Sequence, residues 1–230
     1  MNPPKRAVTG PAAYRSKADV AYDQLRAAIL AGDLSAGTAL KQEQLALDLG
    51  VSTTPLREAL RRLESEGFVK MPAHRDAIVA PLDLNELVAL YEVRETLDSL
   101  AAGLAATRHD ESDRAAMNAA ARRLGATRAD PVAANRALHA SIYRASHNPV
   151  LIAELDSLWD RSDRYRTAIR GLARAPQIVE SHRALVATVL SGDAKKATSE
   201  MRAHIAEARR SVEEAIAESS KASLKKADAA

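Results

Sequence analysis

Residues 25–70 read LRAAILAGDLSAGTALKQEQLALDLGVSTTPLREALRRLESEGFVK. Apolar residues recur here at helical spacing, and glycine cuts the pattern three times, at Gly32, Gly50 and Gly67. A glycine directly after the last periodic residue is a common helix stop. The reading is therefore three short helices: one over 18–31, one over 42–49, and one that opens at Ser52-Thr-Thr-Pro55, where a hydroxyl cap and an early proline mark a start. On the third helix Leu56, Leu60 and Leu63 share a face, and Arg57, Arg61 and Arg62 lie outside it. Two short apolar runs follow, Phe68–Met71 and Ala77–Ala80, joined by Pro72-Ala-His-Arg-Asp76. They predict a β-hairpin with a charged tip. Three short helices and a hairpin, in that order, make a winged helix-turn-helix over 17–81.

Upstream, residues 1–16 hold three prolines and a glycine and read as a flexible arm. Downstream the pattern is helical only. Leu84, Leu87, Val88, Tyr91, Leu97, Leu100, Ala101 and Leu104 form a stripe on one long helix. Further helices are expected at 111–124, 131–147, 149–170, 175–190 and 194–217, separated by glycine- and proline-bearing breaks. This gives an all-helical antiparallel bundle over 82–217, with 218–230 as a disordered tail and room for a short extra helix near 170–176.

Composition supports a mainly α protein. Hydrophobic residues make up 47% of the 230, but only one Phe, one Trp and five Tyr are present. An all-β core packs with more aromatic and β-branched residues than this. The absence of cysteine excludes disulfides, thiolate catalysis and cysteine metal sites. The sequence offers no apolar run of membrane-spanning length and no signal-peptide core, so a cytoplasmic protein is expected. Thirty-three basic and thirty acidic residues leave a net charge of +3, so DNA binding must come from a local patch rather than bulk charge.

That patch is expected on the third helix and the hairpin. Arg57 near the helix start suits a bidentate contact to guanine, and Arg61 follows one turn later. Ser52, Thr53 and Thr54, at the positive helix end, suit phosphate or thymine-methyl contact. Arg75 at the hairpin tip suits the adjacent groove. The competing reading is a solvated face in which Arg57 with Glu58, and Arg61 with Glu64, are helical ion pairs.

The quoted run resembles the DNA-binding domain of GntR-family bacterial regulators. Gly32-Asp-Leu, Leu45-Ala46, Gly50-Val-Ser52, Pro55-Leu-Arg-Glu-Ala-Leu60 and Leu63-Glu-Ser-Glu-Gly67 carry the likeness. Two positions depart from that pattern. Relatives usually place arginine where Thr53 stands, and their wing tip reads Arg-Gly where this chain has Arg75-Asp76. The resemblance implies operator binding without implying the family's usual operator sequence.

The helical half holds a second constellation. Asn135 and His139 are four residues apart and share a helix face. His182 lies on a later helix, and His204 on its antiparallel neighbour. Three imidazoles on three helices can converge inside a bundle, and with the Asn135 amide they would hold Zn²⁺, Ni²⁺ or Mn²⁺. Single histidines are more often surface or core residues, which is the expectation for His74, His109 and His147.

Tyr91-Glu-Val-Arg94, Leu97-Asp98, Leu138-His139, Ala145-Ser-His-Asn148, Glu180-Ser-His182 and Met201-Arg-Ala-His204 resemble the FCD effector domain of the FadR subfamily, over roughly 84–215. In its metal-binding members three histidines and an aspartate hold a metal ion, and the ion with an arginine captures a small carboxylate. The resemblance maps His139, His182 and His204 onto the histidines, Asn135 onto the aspartate position and Arg94 onto the arginine. It implies a homodimeric regulator, in all expectation a repressor, that reads an inverted repeat of double-stranded DNA and responds to a small organic acid. Two other readings remain at this point. One is a metal-dependent hydrolase using the three-histidine site, although no general base or nucleophile motif accompanies it. The other is a DNA-binding dimer that senses nothing. A non-enzymatic regulator is the expectation carried forward.

Overall fold

A computed structural model describes residues 15–73, 75–126, 130–168 and 176–227. The arm expected over 1–16 lies almost wholly outside the described residues, as do His74 and the possible extra helix near 170–176. The described chain groups into two units. One comprises residues up to Ala28 together with Gly37–Ala80, and the other comprises Ile29–Ala36 and the chain from Pro81 onward.

The first unit contains α1 (Lys17–Ala31, whose last turn groups with the second unit), β1 (Ala39–Leu40), α2 (Gln42–Asp48), α3 (Thr53–Ser65), β2 (Val69–Lys70) and β3 (Ala77–Val79). Both interior helices stop as the glycines require. After α2, Gly50 adopts φ +64° and its N–H bonds Leu47 O, while Val51 N–H reaches Ala46 O. After α3, Gly67 at φ +79° bonds Glu64 O, and Phe68 N–H reaches Leu63 O at 2.8 Å. These paired bonds satisfy carbonyls that helix ends leave open, in a left-handed turn that favours glycine. Ser52 sits at the N-cap of α3 in extended conformation, but its hydroxyl makes no capping bond. Leu56, Leu60 and Leu63 are fully buried.

The strands form an antiparallel sheet in the order β1-β3-β2. Val69 pairs with Val79 and Lys70 with Ile78, while Ala39 and Leu40 pair with Ile78 and Ala77. The β2–β3 pair is the expected hairpin. The third strand, β1, lies in LSAGTAL, which reads as a turn because two residues are too few to show alternation.

The second unit is built from α4 (Leu84–Arg108), α5 (Glu111–Leu124), α6 (Pro131–Arg144), α7 (Pro149–Ala168), α8 (Pro176–Leu190) and α9 (Ala194–Ala227). Local signals set its starts. Asp83 caps α4, Asp110 and Asp113 form a reciprocal capping box on α5, and Asp130 caps α6 ahead of Pro131. Asn148 Oδ1 accepts from Leu151 N–H and so caps α7. The α4 helix packs against α9, α7, α6 and α8. Leu87, Tyr91 and Ala101 of its expected stripe are buried, but Leu84 and Leu100 are 44% and 47% exposed. The last helix continues to Ala227, through the segment expected as a tail, because Ala and Lys are strong helix formers. The largest buried aromatics, Tyr91, Tyr143, Trp159 and Tyr165, all lie in this bundle. They surround its polar centre.

Candidate functional site

Two surfaces gather the residues singled out by sequence. On the first unit, Ser52, Thr53, Thr54, Arg57, Arg61 and Arg75 are all exposed. The arginines of α3 divide by role. Arg62 donates to Asp19 Oδ1 at 2.7 Å and stacks 4.1 Å from the Tyr22 ring centroid, so it fastens α3 to α1. Arg57 and Arg61 have no ion-pair partner among the described residues, and the solvated-pair reading with Glu58 and Glu64 is not the arrangement found. Arg57 also lines a groove with Gln42, Arg75 and Asp76. Arg57 and Arg61 thus present two guanidinium groups on the exposed face of α3, with Glu58 between them in one groove and Arg75 near Arg57 in another. Asp76 places a carboxylate in the same groove.

In the second unit α6, α8 and α9 bring His139, His182 and His204 together. Their ring centroids lie 5.2 Å (His139–His204), 5.3 Å (His139–His182) and 4.4 Å (His182–His204) apart, and each offers a nitrogen within 4.8 Å of the others. His139 and His182 are 1% and 3% exposed. Burial, reinforced by the neighbouring histidines and by Arg94 and Arg166, pushes the His139 imidazole well below its usual value. The same causes, burial first, bring His204 down to about 3. Both rings are neutral at physiological pH, with lone pairs free to ligate.

The hydrogen bonds around Tyr143 fix one tautomer. Its hydroxyl donates its single proton to Asp98 Oδ2 at 2.8 Å and accepts from Trp159 Nε1 at 2.8 Å. The remaining lone pair faces His139 Nδ1 at 3.3 Å, so that accounting assigns the imidazole proton to Nδ1. His139 Nε2 is left with a lone pair, 3.3 Å from His182 Nε2. A tetrahedral ion bound to two imidazole nitrogens at about 2.0–2.1 Å would hold them about 3.3–3.4 Å apart. The donor set therefore fits a divalent ion. Asn135, half-buried one turn before His139 on α6, is in place on the same face to add an amide oxygen.

Arg94 is fully buried. Its Nη2 donates to Asp98 Oδ2 at 3.0 Å, while Nε and Nη1 have no partner among the described residues. The ion pair and an unmet demand for acceptors coexist in this side chain. Burial raises the Asp98 carboxyl, against the opposing pull of Arg94 and Tyr143. Sequence reading missed Arg166, Trp159 and Tyr143. Arg166 lies in the run Asp160-Arg-Ser-Asp-Arg-Tyr-Arg166, whose dense charges resemble a solvated face. The two other described histidines have local roles: His147 Nε2 meets Asp113 Oδ2 at 2.7 Å on the surface, and His109 Nδ1 lies 2.9 Å from Ala105 O. Asp110, Asp113 and His147 also lie close together, but the α5 capping box accounts for the two carboxylates.

A winged helix-turn-helix with exposed recognition-helix arginines, joined in one chain to a helical domain with a buried polar centre, defines a DNA-binding transcription regulator. The chain belongs to the GntR family of bacterial regulatory proteins, whose model matches residues 17–75, and carries an FCD domain over residues 89–207. These are regulators rather than enzymes. It is 29% identical over 182 residues to the "Probable D-xylose utilization operon transcriptional repressor" of Paenarthrobacter nicotinovorans, covering 77% of this chain and 80% of that protein. It is 36% identical over 93 residues to the gluconate operon transcriptional repressor of Bacillus subtilis (strain 168), covering 39% and 37%. Among solved structures, E. coli McbR/YncC shares the fold, with a TM-score of 0.73 at 22% identity over 86% of this chain and 98% of that one.

Proposed function

We propose that this protein is a cytoplasmic, homodimeric repressor of the FadR subfamily that releases its operator when a small carboxylate binds the helical domain. The winged domain, residues 17–81, would read one half-site of an inverted repeat in double-stranded DNA through Ser52, Thr53, Thr54, Arg57, Arg61 and Arg75, and the second copy would read the other half. The domain over 82–217 would hold a divalent metal ion, zinc or nickel before manganese, on His139, His182 and His204 with Asn135. Arg94 would take the effector carboxylate through its free Nε and Nη1, a bidentate pairing suited to guanidinium. A bound metal would supply a Lewis-acidic anchor for a carboxylate oxygen.

The observation that carries this reading is the opposed pair of Nε2 atoms 3.3 Å apart, with the His139 tautomer set by Tyr143. The repressor sense is supported by the relatives named as repressors. No described helix is long and apolar enough to cross a membrane, which accords with a role on DNA. Effector control requires that the acid bind one arrangement of the protein better than the other.

The test is operator affinity measured by fluorescence anisotropy on a DNA fragment selected by the protein itself. Zinc-loaded protein should lose affinity when a matching carboxylate is added, and Arg94→Gln should abolish the response. A carboxylate that binds the protein while leaving DNA affinity unchanged would refute the regulatory mechanism.

A further inference from the structure

Two arginines, not one, face the indole of Trp159. The Cζ of Arg94 lies 4.1 Å from the ring centroid and that of Arg166 lies 4.4 Å from it. The His139 imidazole is 4.8 Å from the same ring. A single side chain thus touches the first of the three histidines and both cations, and it keeps the two guanidinium groups near each other and near the imidazoles.

Each cation is only partly satisfied. Arg94 spends Nη2 on Asp98, with Nε and Nη1 buried and unpartnered among the described residues. Arg166 donates from Nε and Nη2 to the Tyr91 hydroxyl at 3.2 and 3.1 Å, and its Nη1 is likewise buried without a partner. The acceptor that Arg166 holds is neutral, and no carboxylate among the described residues forms an ion pair with it. Asp163, three residues earlier on α7, has its Oδ2 turned to Arg136 at 3.1 Å. The two guanidinium groups therefore differ. Arg94 is hydrogen-bonded to its counter-charge, Asp98, whereas the carboxylates that Arg166 holds down, Asp163 and Asp98, make no direct ion pair with it. A guanidinium cannot shed its proton, so its free donor calls for an acceptor oxygen, and its charge calls for an anion.

We infer that Arg166 is a second carboxylate-binding residue and that the effector is a short dicarboxylic acid, one carboxylate taken at Arg94 and the histidines and the other at Arg166. This rests on the effector reading above. It narrows the ligand from any small acid to one with anionic groups at both ends. Trp159 lies against both guanidinium groups and so ties the two carboxylate positions to one side chain.

The experiment is isothermal titration of the full-length, zinc-loaded chain with succinate and with butyrate, acids of equal carbon number. Malonate and propionate form a shorter pair. The wild type should bind the diacid of one pair about tenfold or more tightly than its monoacid, the worth of one hydrogen bond to a charged group. Arg166→Gln should collapse that ratio toward one. Arg166→Lys, which keeps the charge and loses the fork, should restore part of it. Circular dichroism of each variant checks that the bundle has folded. Equal affinity for monoacid and diacid in the wild type overturns the inference and leaves the effector reading intact. So does an Arg166→Gln variant that weakens both acids equally, since a single carboxylate would then be bridging the two arginines. If neither acid of either pair binds the wild type, the effector reading falls and the inference falls with it.

Discussion

Removing one oxygen atom from the bundle, by Tyr143→Phe, should loosen both the helical domain and its histidine site. The hydroxyl serves three partners: it donates to Asp98 Oδ2 at 2.8 Å, accepts from Trp159 Nε1 at 2.8 Å and faces His139 Nδ1 at 3.3 Å. Tyr143 and Trp159 are 2% and 1% exposed, so water has no ready access to replace it. The indole N–H would be left without an acceptor, at a cost of about 1–3 kcal/mol, and Asp98 would lose a charge-assisted bond of similar worth. Allowing for overlap between the two effects, the loss should be about 2–5 kcal/mol. For a unit of this size that lowers the unfolding midpoint by about 5–15 °C. Trp159 is the only tryptophan in the chain and lies at the site, so its fluorescence reports the transition of this domain rather than that of the winged one. Loss of the partner that orients His139 should also weaken zinc affinity by about 10–100-fold. A midpoint unchanged within about 2 °C, which corresponds to roughly 1 kcal/mol or less, would refute the claim that Tyr143 organises the site.

Other outcomes follow from the same geometry. Arg57→Ala should weaken operator binding by about 1–3 kcal/mol and relax base preference at one position, with thermal stability unchanged. Arg62→Ala, which breaks the contacts to Asp19 and Tyr22, should instead lower the stability of the winged domain; anisotropy and calorimetry separate the two. Asn135→Asp should tighten zinc binding by adding a charged oxygen donor, measured by competition with a chromophoric chelator. Burial raises the Glu86 carboxyl, but hydrogen bonds from Arg161 and Tyr165 prevail and hold it below the ordinary 4.5. Its folded value is depressed, so the stability it contributes is present above the unfolded value and is lost as pH falls through the folded one. Glu86→Gln should therefore flatten the acid side of the stability curve below about pH 4.5, and an unaltered acid limb would contradict that assignment.

The winged domain was legible because its signals are local. Gly50 and Gly67 mark helix ends by backbone conformation, and the Leu56, Leu60 and Leu63 spacing marks the buried face without reference to anything distant. β1 was not legible, since Ala39–Leu40 becomes a strand only by pairing with β3. In the bundle, helix boundaries were readable from caps such as Asp110 and Asp130. The orientation of α4 was not: Leu84 and Leu100 look like core residues in the sequence and emerge exposed. The three histidines were legible as a set only through a family resemblance, because their meeting point depends on how α6, α8 and α9 pack. Arg166 shows the limit most clearly. Nothing in its charged run separates it from Arg161 or Arg164, and only the shared Trp159 ring pairs it with Arg94.

The central claim is that the three histidines hold a metal ion through which the helical domain senses its ligand. The most direct measurement is the metal content of untagged, natively purified protein, with His139→Ala alongside. The account predicts close to one zinc or nickel ion per chain, taken up on purification or on supplying the metal, and its loss in the variant. No uptake by the wild type even with zinc or nickel supplied would contradict it. The 3.3 Å contact between His139 and His182 would then be an N–H···N hydrogen bond inside a purely organic binding site.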